Sequence, residues 1–258
     1  MSIAWLWLFA RTFRVTVDLS SCAALFLTAW SIYLADRLAD SCSLPPGAPR
    51  SLRHTFCLEH RRILVGGVAL IAGVNTILIW NRLGPATLIA GAIVGSLALI
   101  HLVLNYWLGG AWPPLPMKEA AVGSLFAAGT LVPLFSSRPI SGSFLCAGIL
   151  FAALCTLNCI SIAYWEQALD QEQGKVSFAT RYPGLRGYLG KSSLALALGS
   201  LGATAIVYPE VGPICACVTV SALGLMSLDS EKIDRDRRTA WADIVLLNPL
   251  LLLVVMSV

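Results

Sequence analysis

Residues 139–165 read PISGSFLCAGILFAALCTLNCISIAYW, and the chain continues EQALD to residue 170. No Asp, Glu, Lys or Arg interrupts the first 27 positions. Coiled as an α-helix, that stretch is about 40 Å long, enough to cross a hydrocarbon layer of about 30 Å. It then meets two acids one helical turn apart, Glu166 and Asp170. An apolar body with a charged end is the unit from which the rest of the chain is built.

Similar charge-free runs cover 63–81, 83–117, 120–137, 192–209 and 211–228. They lack two-residue alternation and are too long for barrel strands. With a segment added at each terminus, the pattern predicts eight spans, near 15–37, 63–80, 85–107, 118–135, 143–165, 191–208, 211–228 and 240–258. The fold class expected is all-α, a polytopic membrane helical bundle.

Composition agrees. The 258 residues are 57% hydrophobic and 12% charged, with mean hydropathy +0.76. Soluble domains carry about twice that charge, so a soluble globule, a disordered chain and a secreted disulfide scaffold are excluded. A net charge of +4, scattered along the chain, gives no nucleic-acid footprint.

Lys and Arg distribute unequally over the loops. Strict alternation of the eight spans places 14 of them on one side and four (Arg11, Arg14, Arg82, Arg138) on the other. The positive-inside bias puts the first side in the cytoplasm and both termini outside, as in a bacterial inner-membrane protein. Met1 to Arg14 is too short to span and has no cleavage signal, so an interfacial helix carrying Trp5 and Trp7 is expected there. The eight cysteines form no CxxC pair and read as small apolar residues. Three histidines, His54, His60 and His101, make no zinc site.

An internal repeat carries the functional signal. Residues 31–40 and 161–170 share Ser-Ile-x-x-x-Asp/Glu-x-x-x-Asp, each at the same end of a span and four spans apart. The chain therefore divides into two four-helix pseudo-repeats, about 15–135 and about 143–258, with a shared site expected where they meet. In each, acids four apart share one helix face: Asp36 with Asp40, and Glu166 with Asp170. Like charges so placed repel unless a cation lies between them. Hard oxygen ligands suit Mg²⁺, which binds one or two carboxylates together with substrate phosphates. Lys118, Lys175 and Arg53 are the cations best placed by sequence to receive a diphosphate.

These residues resemble the UbiA superfamily of intramembrane prenyltransferases. Asp36-x-x-x-Asp40 looks like its first Asp-rich motif. Glu166-x-x-x-Asp170-x-x-x-Gly174-Lys175-x-Ser177-Phe178-Ala179 is similar to its second, Asp-x-x-x-Asp-x-x-x-Gly-Lys/Arg-x-Ser/Thr-Leu-Ala. The stretch from Pro113 through Lys118 to Gly123, then Phe126 and Gly129, resembles its Tyr-Pro-x-x-Lys segment and the following helix. The resemblance runs from about residue 20 to the C-terminus. This chain departs from the family pattern at Ile32 and Ile162, where Asn is usual, and at Glu166, where Asp is usual. The family's nine spans carry the first motif on the second; here it falls on the first.

The resemblance implies transfer of a prenyl group from a polyprenyl diphosphate to a lipophilic acceptor. Mg²⁺ would be held by Asp36, Asp40, Glu166 and Asp170, with Lys118 stabilising the leaving diphosphate. Tyr33, Tyr106, Tyr164 and Trp165 are candidates to flank an allylic cation. The mixed-charge stretch Asp229 to Arg238 reads as a solvated, self-paired loop, and Asp243 as a partner for Arg237 or Arg238. Competing readings are an ion-coupled transporter or cation-binding module, and a related protein that cyclises the prenyl chain or has lost turnover.

Overall fold

A computed structural model describes residues 1–44, 47, 49–108, 117–135, 140–229 and 233–256. Among the described residues the protein is all-helical. In chain order the α-helices are α1 (Ser2–Phe13), α2 (Leu19–Cys42), α3 (Leu52–Glu59), α4 (Arg61–Arg82), α5 (Pro85–Leu108), α6 (Met117–Phe135) and α7 (Gly142–Trp165). There follow α8 (Gln167–Glu172), α9 (Phe178–Arg181), α10 (Leu189–Gly202), α11 (Gly212–Leu228), α12 (Arg235–Val245) and α13 (Pro249–Met256). Five helices are long and apolar enough to cross a membrane: α2, α4, the 85–105 part of α5, α7, and 209–228, which includes α11. Their exposed faces carry Ile63, Leu70, Ile77, Ile89, Leu99 and Ile149, which is how a chain solvated by lipid distributes its apolar surface.

Helix limits follow local chemistry. The first long helix starts at Leu19 rather than near residue 15, because the Asp18 side chain accepts the Ser21 N–H and caps it. Ser141 caps α7 in the same way through the Phe144 N–H. The span expected at 191–208 is a 14-residue helix followed by a π-helical turn, Ala203–Val207. The span expected at 240–258 is two helices, α12 and α13, with a break at 246–248. Pro249 has no N–H and disfavours helical geometry at Asn248, which accounts for the break.

That break organises the core. The Leu246 carbonyl, released from regular helix bonding, accepts from Trp5 Nε1 at 2.9 Å. The Asn248 side chain donates to the Cys217 carbonyl at 2.9 Å. Helix α1 is therefore not interfacial. It packs on α2, α6, α11 and α13 and runs antiparallel to α7: Trp5 stacks on Phe151 at 4.4 Å, while Phe13 meets Phe144 at 5.2 Å. Trp5, Leu6, Leu8 and Phe9 are almost wholly buried. An apolar ring set inside a helix bundle gains dispersion contacts on all sides, which a headgroup layer does not offer.

The α6–α7 pair is the closest helix contact near the acids. Gly123 of α6 lies against the backbone of Thr156 in α7, so close that a Cβ there would come within 2.7 Å of Thr156 Cα. The pairing is tight because Gly123 has no side chain. All eight cysteines are free, and Cys155, Cys215 and Cys217 serve as small buried packing groups, as their sequence positions suggested.

Candidate functional site

Helices α2 and α7 both run toward the same end of the bundle, and their C-terminal ends meet there. Residues far apart in sequence are thereby joined: Lys175 Nζ lies 3.4 Å from Asp40 Oδ2, and Gln173 Nε2 donates to the Pro49 carbonyl, 124 residues away, at 2.8 Å. The second repeated segment thus reaches across to the first.

Each fixed position of the second segment has a structural task. Gly174 adopts a left-handed conformation (φ 67°) that closes α8. The Lys175 N–H bonds the Asp170 carbonyl and the Gly174 N–H bonds the Gln171 carbonyl, a Schellman closure that turns the lysine toward α2. Ser177 and Thr180 exchange the two bonds of a capping box over α9. The Phe178 N–H donates to Glu119 Oε1 at 2.9 Å, which ties the segment to α6, and Ala179 is fully buried.

The two acid pairs are not built alike. Asp36 and Asp40 lie on one continuous helix, α2. Between Glu166 and Asp170 the helix is interrupted, since Glu166 closes α7 and α8 starts at Gln167. The Asp170 N–H still bonds the Glu166 carbonyl at 2.9 Å, so the two acids stay one turn apart across the break.

The electrostatic neighbourhood ties these groups into one cluster. The charges acting on Asp36 are Asp40, Arg37, Lys118 and Lys175. Those acting on Asp170 are Glu166, Lys175 and Lys118. Lys118, at the start of α6, is therefore within electrostatic reach of Asp36 and of Asp170. Burial, helped by the Glu166 charge, pushes the Asp170 carboxyl up to about 6, against the Ser177 hydrogen bond and the two lysines. Of the sequence candidates, Asp36, Asp40, Glu166, Asp170, Lys118 and Lys175 share this end of the molecule. The side chain of Arg53, on α3, lies outside the described residues, as does that of Tyr106.

Sequence reasoning missed several members. Arg37 was counted only toward the loop charge bias, yet its nearest charges are Asp36, Asp40 and Glu166, and its Nε is buried with no hydrogen-bond partner. Glu119 is a buried carboxylate beside Lys118. Thr239 Oγ1 approaches Glu166 Oε1 at 3.5 Å. The signal for Arg37 was present, because it alone among the loop cations lies inside an acidic repeat.

One expectation needs correction. The 229–238 stretch is not a solvated loop at its ends: Asp229 accepts from Trp165 Nε1 at 3.0 Å and pairs with Arg186 at 3.7 Å. Arg238 is buried, donates to the Ile233 carbonyl, and sits over the Trp165 ring at 5.6 Å. Residues 230–232, within that stretch, lie outside the described residues. The aromatic candidates are already engaged, with Arg37 over the Tyr33 ring at 5.2 Å and the Tyr164 hydroxyl donating to the Tyr182 carbonyl. Among the described residues, no three His, Cys, Asp or Glu side chains close on a single point that could hold a metal ion.

The donor set therefore fits Mg²⁺ only with an anion present. Each pair supplies two carboxylates, and phosphate oxygens and water would have to complete an octahedron. Lysines between the pairs and the unpartnered Arg37 Nε suit such an anion. No family profile matches the chain, and no curated protein or solved structure matches it.

Proposed function

We propose that this chain is an integral membrane prenyltransferase of the UbiA type, moving a prenyl group from a polyprenyl diphosphate to a lipophilic acceptor. The observation that carries the proposal is the meeting of the two repeated segments: Lys175 lies on Asp40 and Gln173 on the Pro49 carbonyl, with Lys118 in electrostatic reach of Asp36 and Asp170. A mixed cluster of carboxylates and lysines at the end of an apolar bundle matches a substrate with a charged head and an isoprenoid tail. On this reading the chain forms eight spans as two four-helix halves, with the cluster on the cytoplasmic side of a bacterial inner membrane.

Asp36, Asp40, Glu166 and Asp170 would hold Mg²⁺, which when bound supplies positive charge to the diphosphate oxygens. Lys118 and Lys175 hold the diphosphate against the cluster and stabilise its charge as the allylic C–O bond lengthens. The Arg37 guanidinium, kept in place by the Tyr33 ring, offers its free Nε–H to the same oxygens. Diphosphate leaves with the electron pair of the broken C–O bond, an electron pair of the acceptor closes the new bond to the allylic carbon, and the proton displaced from the acceptor passes to water.

The test is binding and turnover of labelled geranylgeranyl diphosphate by protein in lipid, with and without Mg²⁺. Mg²⁺-dependent binding that is lost in Asp36→Ala and Asp170→Ala supports the proposal. Binding unchanged in both variants, or ion flux through sealed vesicles without any diphosphate, overturns it.

A further inference from the structure

A second face of α7 carries a different feature. Between α6, α7 and α10 runs an open groove of about 710 Å³, lined by Ser124, Ala153, Thr156, Ile160, Leu189 and Leu196. Its upper wall is formed by Tyr164 and Tyr188. The α7 residues along it, Ala153, Thr156, Ile160 and Tyr164, follow helical spacing on one face. Cys155, Cys159, Ile162 and Glu166 form another, roughly 120° around the helix at 100° per residue. On α7 the groove and the acids therefore lie on different faces, and they approach each other only at the groove end, where Phe178 lines the groove and its N–H bonds Glu119. The groove adjoins a small packing cluster of Tyr164, Ala179 and Leu189 that is distinct from the main core.

From Ile149 to Tyr164 the groove follows α7 for about 22 Å, more than one leaflet of a bilayer whose hydrocarbon is about 30 Å thick. Small side chains, Ala152, Ala153, Ser124 and Ser192, keep it open. At its acid-cluster end the chemistry changes sign. From Gln173 to Pro209 the chain contains Lys175, Arg181, Arg186 and Lys191 and no Asp or Glu. Lys175 is turned toward Asp40 and Arg186 toward Asp229. Lys191 instead lies exposed at the groove mouth, its Nζ 5.0 Å from the centre of the Tyr188 ring.

We infer that this groove is a binding site for one anionic phospholipid, with an acyl chain along α7 and its phosphate against Lys191 and Tyr188. An apolar slot of membrane depth selects a chain, and a cation held at its mouth selects a negative headgroup. The inference does not depend on the prenyl-transfer proposal, because Lys191, Tyr188 and the α7 residues it uses are none of the groups assigned to the diphosphate or the metal.

The test uses full-length protein reconstituted in equal phosphatidylglycerol and phosphatidylcholine, then extracted in mild detergent, with retained lipid counted by native mass spectrometry. The wild type retains phosphatidylglycerol in preference. Lys191→Gln, a surface change that leaves the fold intact, cuts that preference about fivefold, the worth of one basic residue beside an anionic headgroup. Ala153→Phe fills the slot and removes both lipids, while Asp36→Asn and Asp170→Asn leave retention unchanged. Equal retention of the two lipids by the wild type, or a preference that survives Lys191→Gln, overturns the inference. So does retention that survives Ala153→Phe, or that is lost with the acids.

Discussion

Gly123 gives the most direct way to perturb the acid cluster without touching it. An added Cβ would lie 2.7 Å from Thr156 Cα and 2.6 Å from Thr156 Oγ1. Carbon atoms rest at about 3.5–4.0 Å, so Gly123→Ala must part α6 and α7 by about 1 Å. The obstruction is mainly helix backbone, which has no rotamer to change. Overpacking of this kind costs about 1–3 kcal/mol, whereas Gly to Ala within a helix otherwise gains about 1 kcal/mol. Gly129, two turns along α6, is the control: its added Cβ would meet only Val94 Cγ1, at 3.8 Å, an ordinary contact. Gly129→Ala should leave the melting temperature in detergent unchanged or higher, and Gly123→Ala should lower it by several degrees. Because Lys118 lies about 7 Å from Gly123 along the helix, Gly123→Ala should also weaken Mg²⁺-dependent binding of labelled diphosphate. Thr156→Ala should not rescue it, since the backbone contact remains. Equal melting temperatures for the two alanine variants would refute the close α6–α7 contact and the positioning of Lys118 that follows from it.

Three further outcomes follow from named contacts. Trp5→Ala removes a buried ring and strands the Leu246 carbonyl, at a cost of about 3–5 kcal/mol, or on the order of 10 °C in melting temperature; Trp5→Phe should cost about 1 kcal/mol. If α1 were interfacial, Trp7→Ala would be as damaging as Trp5→Ala. For Asp170 the folded carboxyl titrates near 6, above its ordinary value of 3.8, so the folded state holds its proton more tightly. Its stability contribution therefore falls as pH rises from about 4 to about 6 and is level above that; Asp170→Asn should flatten this slope in melts taken between pH 4.5 and 7. A double-mutant cycle with Asp40→Asn and Lys175→Met should give a coupling of about 0.5–1 kcal/mol, since both side chains are about one-third exposed or less; zero coupling would separate the two segments.

The long helices were legible because charge-free runs of membrane length have few alternatives. That Asp36, Asp40, Glu166 and Asp170 lie at one end was suggested by the shared sequence pattern, because both copies fall at the C-terminal end of a long apolar helix. Helix α1 was not. Two tryptophans on a short amphipathic segment look the same whether the apolar face meets headgroups or a bundle interior, and only the positions of α6, α11 and the break before Pro249 decide. The Asn248-Pro249 pair was a visible breaker, but the hydropathy of the final segment outweighed it. Arg37 was masked by the abundance of loop cations, and the tie from Glu119 to Phe178 joins residues 59 apart that no spacing rule connects.

The packing around α1 and the acid end of the bundle differ in character. Around α1 the rings of Trp5, Phe9, Phe144 and Phe151 fill space, and the carbonyl freed by the α12–α13 break has found its donor. At the acid end the Arg37 Nε is buried without a hydrogen-bond partner, the Asp170 carboxyl resists ionisation, and among the described residues no three acids gather where a metal ion could sit. Buried polar groups left this way cost stability, and a bound anion would satisfy those at the acid end. The ligand should then repay that cost. At a concentration 100 times its dissociation constant it would add about 2.7 kcal/mol, several degrees in a thermal melt. Because neither acid pair completes a metal site unaided, geranylgeranyl diphosphate and Mg²⁺ together should raise the melting temperature far more than the sum of each alone. Stabilisation by Mg²⁺ alone, equal to that of the pair, would mean that the carboxylates close on the metal without a diphosphate, and would remove the argument linking this cluster to a lipid diphosphate.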